Sequence, residues 1–380
     1  MKKILVLAVV LVALLSSVTA FAADKEVVIG QIITSLTGAA AMYGDYQKNA
    51  AQMAVDEINA SGMLKGIKLK LVQLDDAAKP DVALNAAQKL IFEHNPTVIL
   101  GADWSGNTLA IAPLIASKGI PQLTSSKSRK ITHEGNKTIF RLVDMGPFIG
   151  KALVDYAYEK GYRKMAVLYT NSDYGVSGGE GAKRQILAKG LKVYAYETYN
   201  VGDTDFTAQL QRIKNSGADC VIDYSIQIEG AKSFRQMREL GINLPVFGGD
   251  AFITPDFAQL TDPDLVEGTI AATTFIPGNP DPKVQEFVKK YKKLYGEEPE
   301  DHASPYYDAV YIVANAIKAV GTDRAKIADY IAHLKGFKGV NGDHTADKWG
   351  NLVHTAVLAK YHNGKWEYIK TITGMTDWDD

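Results

Sequence analysis

The sequence predicts an α/β protein of two similar units, each a parallel sheet covered by helices on both faces. Three observations predict it. At 380 residues the chain is long for a single hydrophobic core. Short apolar runs alternate with stretches of helical periodicity, the βαβα order of a parallel sheet. The runs themselves, such as Val98-Ile99-Leu100, are too apolar for one face to meet water.

In order, Val27 to Ile33 reads as a buried first strand. Ala51, Ala54, Val55 and Ile58 then recur at i, i+3, i+4 and i+7, one face of a helix, which Asn59-Ala60-Ser61-Gly62 closes. Ile67 to Val72 alternates as a strand ending at Asp75-Asp76. Pro80 suits the first turn of an amphipathic helix reaching His94, and the Val98 strand follows. Leu109, Ala112, Ile115 and Ala116 mark the next helix, and Gly119 to Leu123 the next strand.

After Thr138-Ile139-Phe140-Arg141-Leu142 the pattern restarts. Helices are predicted over about 147–159 and 180–188, with strands at Met165 to Tyr169 and Leu191 to Tyr196. Phe206, Leu210 and Ile213 mark a helix, Cys220-Val221-Ile222 a strand, Phe234, Met237 and Leu240 a helix, and Pro245 to Gly248 a strand. Val266 to Phe275 reads as a long β-like run that carries the chain back across. Three helices follow, over 284–294, 306–320 and 324–334. Asn363-Gly364 between Leu352 to Tyr361 and Trp366 to Ile369 is a strong hairpin signal. There is no low-complexity linker, so several short crossings join the units.

Composition excludes several classes. With 42 basic and 43 acidic residues, the net charge of −1 gives no basic excess for nucleic acid. Cys220 is the single cysteine, in a strand-like run, and reads as a small buried hydrophobe. Met1-Lys2-Lys3, the apolar run Ile4 to Leu15 and Ala20-Phe21-Ala22 form a signal-peptide pattern cleaved after Ala22. The expected location is the periplasm. There is no G-x-S-x-G elbow and no Walker A loop, and the seven His lack metal-ligand spacing. The 343–350 segment is faintly like a calcium loop but lacks the ligand set, and reads as a turn. No enzyme activity, cofactor or metal is expected.

The richest chemistry lies between Gly101 and Arg129. Asp103-Trp104-Ser105-Gly106-Asn107-Thr108 follows one strand, and Thr124-Ser125-Ser126-Lys127-Ser128-Arg129 follows the next. Ligands of open α/β sheets sit outside the carboxyl ends of strands. Ser105 opens a helix, where free N–H groups and the dipole favour an anion; its alternative role is an ordinary N-cap. Asp103, Lys127 and Arg129 read as solvated rim residues or as partners of a polar ligand side chain.

Several motifs resemble the periplasmic binding proteins for branched-chain amino acids, the type I solute-binding proteins of ABC transporters. They are Ser35-Leu36-Thr37-Gly38, Tyr43-Gly44-Asp45, Asp56-Glu57-Ile58-Asn59 and Ser61-Gly62, then Asp75-Asp76, the Gly101/Ser105 loop, Tyr174-Gly175, Gly248-Gly249-Asp250 and Tyr306-Tyr307-Asp308-Ala309. The resemblance spans essentially the whole chain after residue 22. It implies two Rossmann-like doubly wound lobes joined by three crossings, closing on a ligand by a hinge. The implied division is 23–142 plus 274–351 for one lobe and 143–273 plus 352–380 for the other, after a signal peptide at 1–22.

Carried over residue by residue, Ser105 and Ser128 would hold the α-carboxylate of an amino acid. The Ser126 carbonyl and Asp250 would take its ammonium, and Tyr174 would close over it. Ser128 stands where the family usually has Thr, and Asp250 where the nearest relatives have Glu. Tyr43, Trp104, Ile226 and His302 would line the side-chain pocket, with an apolar or aromatic side chain favoured by Tyr43 and Trp104. Ile226 and His302 depart from the Tyr and Phe seen in relatives. The implied partners are a small branched-chain or other hydrophobic amino acid and a membrane-embedded ABC permease, with the chain a monomer. The alternatives are an amide, urea or an aromatic acid as ligand, or a periplasmic sensor.

Overall fold

A computed structural model describes residues 24–36 and 41–374. The signal-peptide pattern and its cleavage point, with Thr37 and Gly38, lie outside the described residues. The first unit contains β1 (Lys25–Ile33), α1 (Ala41–Ser61), β2 (Ile67–Asp75), α2 (Pro80–Lys89, widened into a π turn at Leu90–His94) and β3 (Val98–Leu100). It continues through α3 (Ser105–Ser117), β4 (Gln122–Thr124), the single turn α4 (Lys130–His133) and β5 (Ile139–Arg141).

The second unit begins with α5 (Gly146–Glu159), β6 (Met165–Asn171), α6 (Asp173–Ala188), β7 (Ala195–Asn200), α7 (Thr207–Asn215) and β8 (Cys220–Tyr224). Then come α8 (Gln227–Glu239), β9 (Val246–Gly248), α9 (Pro255–Thr261), α10 (Pro263–Val266) and β10 (Ile270–Thr273). The chain returns to the first unit for α11 (Pro282–Tyr295), α12 (Ser304–Val320) and α13 (Arg324–Ala332). A small ribbon, β11 (Phe337–Lys338) and β12 (Asp343–His344), precedes the hairpin β13 (Ala356–His362) and β14 (Lys365–Ile372), which ends in the second unit.

Two doubly wound sheets result. The first runs β2-β1-β3-β4-β5, all parallel. The second repeats that order as β7-β6-β8-β9-β10 and adds β13 and β14 antiparallel at its edge. In both, strand order reverses between the first and third strand of the unit. That reversal splits the following loops to opposite faces and leaves a crevice at the strands' carboxyl ends. Each sheet is buried on both sides. In the first lobe α1, α11 and α12 cover one face with Val55, Phe287 and Ile312, and α2 with α3 cover the other with Leu90 and Ile111. Each such fully buried side chain contributes roughly 1.5–3 kcal/mol. The chain passes between lobes after β5, after β10 and before β13, the three crossings that the resemblance implies.

Some sequence expectations need correcting. The run 266–275 is not one strand: Val266 ends the short α10, Gly268 turns at φ +82°, and only Ile270–Thr273 pairs. The strand expected at Leu191 to Tyr196 lies at Ala195–Asn200, where the register with β6 starts at Ala166. Helix α6 starts at Asp173, capped by the Ser172 hydroxyl accepting from the Gly175 amide, so Tyr174 sits on a helix and not in a loop. The Asn363-Gly364 turn has φ of 51° and 81°, the left-handed pair that a type I′ hairpin requires. Cys220 is fully buried and its thiol is pushed up by burial, then by Asp219. The 343–350 turn folds on Asp347, whose carboxylate accepts from the Trp349 and Asn351 amides.

Candidate ligand-binding site

The crevices of the two sheets face each other across one cavity of about 750 Å³. From the first lobe, Tyr43 comes from α1 after the β1 loop, and Trp104 with Ser105 from the β3 loop. From the second, Tyr174 comes from the start of α6, Ile226 from the end of β8 and Asp250 from the end of β9. His302 enters from the segment before α12 and stacks on Tyr43 at 4.5 Å. Seven of the nine residues singled out in the sequence therefore share one cavity; Ser126 and Ser128 do not line it.

The β3 loop is held open by its own backbone demands. Gly101 has φ +97°, and a Cβ there would lie 2.3 Å from the Ile32 carbonyl oxygen, so only glycine lets the chain turn back beside β1. The Ala102 carbonyl accepts from the hydroxyls of Thr108 (3.0 Å) and Thr124 (2.6 Å). Helix α3 then starts at Ser105, with Trp104 in the cap position and no side-chain cap bond. Ser105 is thus the first helical residue and not an N-cap. Its hydroxyl accepts from the Ser128 amide at 3.1 Å, and its neighbours' amides remain at the positive end of α3. Nearby, Asn107 donates to Asp76 at 2.8 Å, and burial, partly offset by that bond, pushes the Asp76 carboxyl up to about 6.

The β4 loop behaves differently. Ser125 and Lys127 line the cavity, whereas Ser126 and Ser128 turn behind it, an alternation that continues the strand's two-residue period. The Ser126 carbonyl accepts from Arg141 Nη1, and the Ser128 carbonyl from Arg141 Nη2 at 2.7 Å. Arg141 is fully buried and also donates to Asn351 at 2.9 Å. Burial pulls its pKa down to about 10, so it stays a cation at neutral pH. The Ser126 hydroxyl is bonded to the Asp103 carbonyl at 2.5 Å.

Lys127 is not a rim residue. It is 6% exposed, and its Nζ lies 3.1 Å from Asp250, 3.3 Å from Asp301 and 3.7 Å from Asp144. Burial opposes its charge, but Asp250, Asp301 and Asp144 outweigh burial and hold the ammonium well above its usual range. Asp144 lies in the first crossing and accepts from Thr274 of the second at 2.7 Å. Burial pushes its carboxyl up to about 7, with Lys127 acting against the rise. Asp250 also accepts from the Tyr174 hydroxyl at 2.8 Å.

A second charged group walls the first lobe. His302 lies 2.8 Å from Glu300 and 3.4 Å from Asp103. Burial works against its charge, but Glu300 and Asp103 prevail and raise it to about 10, so the imidazole is cationic at neutral pH. Asp103, the other expected rim residue, also accepts from the Ser125 hydroxyl. Arg129 is half-buried, its amide donating to Ser177 of the second lobe at 2.9 Å. Lys127, Asp144, Asp301 and Arg141 were the residues that sequence reasoning missed or misplaced. Each is defined by partners more than ten residues distant, a signal no local motif carries. Among the described residues, no group of three or more His, Cys, Asp or Glu side chains is arranged to hold a metal ion.

Comparison with known proteins agrees with the two-lobed fold. A family model described as a periplasmic binding protein matches residues 26–365. The Leu/Ile/Val-binding protein homolog 1 of Brucella suis is 30% identical over 371 residues, covering 94% of this chain and 97% of its own. The branched-chain amino acid transporter substrate-binding protein of Streptococcus pneumoniae, solved with isoleucine, superposes with a TM-score of 0.83 at 30% identity, over 92% of this chain and all of its own. A leucine-binding protein of Thermotoga maritima gives a TM-score of 0.85 at 28% identity, over 91% and 99% of the two chains.

Proposed function

The chain belongs to the periplasmic binding protein family, and from that premise we propose that it captures a small apolar amino acid between its lobes and delivers it to a membrane-embedded ABC permease. The observation that carries this reading is the convergence of both lobes' strand-end crevices on one cavity that offers hydroxyl, aromatic and carboxylate groups. The relatives named for leucine, isoleucine and valine support the same ligand class.

In this reading the Ser105 hydroxyl and the amides at the start of α3 receive the ligand carboxylate, with the Ser128 amide orienting Ser105 from behind. Asp250 and Tyr174 face the ligand's amino end, and Tyr43, Trp104, Ile226 and His302 surround its side chain. Lobes of 23–142 plus 274–351 and 143–273 plus 352–380 would close by rotation at the three crossings. The protein would act outside the cytoplasmic membrane, as a monomer, releasing its ligand unchanged.

A thermal-shift screen of the protein against the twenty amino acids tests the reading. Ligand at 100-fold excess over Kd adds about 2.7 kcal/mol of stability, which raises Tm by several degrees. Shifts confined to apolar amino acids are the expected result, with binding lost in Ser105→Ala/Asp250→Ala measured below that variant's own Tm, which the broken Lys127–Asp250 pair lowers. An unchanged affinity in that double variant would refute the site.

A further inference from the structure

The two groups that the resemblance offers to a ligand ammonium are already engaged by cations of the chain. The Ser126 carbonyl accepts from Arg141. Asp250 Oδ2 holds Lys127 at 3.1 Å, while its Oδ1 accepts from Tyr174. Lys127 donates to Asp301 and is ion-paired with Asp250 at 3.1 Å and, more loosely, with Asp144 at 3.7 Å. It lies in the lining of the cavity, and it is the residue between Ser126 and Ser128.

We propose that Lys127 is a tethered ammonium that fills the amine subsite: an apolar carboxylic acid without an amino group binds beside it, whereas an amino acid binds only by displacing Lys127 from Asp250. This inference rests on the capture reading above and specifies how that site discriminates.

The chemistry follows from charge. A ligand carboxylate needs donors, and Ser105 with the start of α3 supplies them whether or not the ligand carries an amine. A ligand ammonium needs Asp250, and reaching it sets two like charges on one buried carboxylate. The displaced lysine has somewhere to go. Asp144 Oδ2 is buried without a hydrogen-bond partner, so rotating the flexible side chain away from Asp250 keeps Asp301 and strengthens the contact to Asp144. A buried lysine among three carboxylates is also a poor device for stability alone, since apolar replacements of buried ion clusters are often as stable.

The experiment is calorimetric titration of the full protein at pH 7 with leucine and with 4-methylpentanoate, which is leucine's skeleton lacking the amine. Wild type binds both. In Lys127→Met, the affinity for leucine relative to 4-methylpentanoate rises at least about tenfold, which is about 1.4 kcal/mol of altered preference. In Asp250→Asn, the affinity for leucine relative to 4-methylpentanoate falls at least about threefold, because only the amine needs the carboxylate. If Lys127→Met does not fold, Lys127→Met/Asp144→Asn removes one of the uncompensated charges and is read the same way. A preference unchanged or shifted away from leucine in the lysine variant overturns the inference. Tight leucine binding by wild type with no binding of 4-methylpentanoate overturns it while leaving the capture reading standing. Binding of neither ligand by any of the proteins overturns both.

Discussion

The loop after β3 and the loop after β4 are built from similar small polar residues, yet the first presents consecutive residues to the cleft and the second only alternate ones, Ser125 and Lys127. In the first, Trp104 and Ser105 line the cavity where α3 starts at once, with first-turn amides that have no partner within the helix. In the second, Ser125 and Lys127 face the cavity, and the carbonyls of Ser126 and Ser128 accept from Arg141 behind it. Hydroxyl residues at a strand end are therefore a weak guide to a binding site. What decides is whether a helix begins there, or whether a buried cation claims the carbonyls first.

The strongest way to break this contrast is to remove that cation. Arg141→Met leaves the Ser126 and Ser128 carbonyls without their donor in a fully buried setting. A loss of roughly 3–5 kcal/mol in urea unfolding is expected, as for other broken buried charge networks. Arg141→Lys should recover only part of it, because one ammonium cannot span both carbonyls and Asn351. A loss below about 1 kcal/mol would mean that the second loop is not held by Arg141.

Paired alanine substitutions sharpen the contrast with smaller effects. Ser126→Ala removes the hydroxyl that ties the second loop to the Asp103 carbonyl, so it should cost about 1–2 kcal/mol of stability and leave ligand affinity within about threefold. Ser105→Ala orphans the buried Ser128 amide and should cost a similar amount of stability, but it should also weaken ligand binding about tenfold or more. Trp104→Ala belongs with Ser105, since the ring is only half-buried and lines the cavity. Equal effects of Ser105→Ala and Ser126→Ala on affinity, read by calorimetry, would erase the distinction between the loops.

The same contrast explains what the sequence could tell. Strand and helix order was legible because apolar period and turn residues are local: Val98-Ile99-Leu100 could only be buried, and Asn363-Gly364 could only turn. Tyr43, Trp104 and Asp250 were legible as candidates because strand ends point at the crevice wherever the sheet reverses order. Lys127 was not. Its neighbours in sequence are Ser and Arg, and nothing local distinguishes a solvated lysine from one surrounded by Asp144, Asp250 and Asp301. The exposed reading is the commoner one for lysine, and here three distant carboxylates overturn it. Ser126 is a candidate for its carbonyl, and that oxygen accepts from Arg141, fifteen residues on, which no local pattern announces.

The smallest effect separates the two loops by pH. The first loop's Asp103 faces His302, whose folded pKa of about 10 lies above its ordinary 6.5 through Glu300, Asp103 and Asp301. A raised histidine contributes stability that is fully present below 6.5 and is lost as pH climbs toward 10. The second loop's Lys127 faces Asp144, whose carboxyl is raised from 3.8 to about 7 by burial, with Asp301 and Asp250 adding and Lys127 and Thr274 subtracting. That raised carboxyl also favours the folded state when protonated, so its contribution is lost between about pH 4 and 7. The two windows adjoin without coinciding. Tm measured from pH 4 to 10 should therefore respond to His302→Gln by flattening only above about pH 6.5, and to Asp144→Asn by flattening only below about pH 7, with differences of roughly 3 °C in each window. A His302 variant that alters the acid limb instead would mean that the Asp103 and Lys127 charge clusters titrate as one unit, and the two loops would then share a single electrostatic centre.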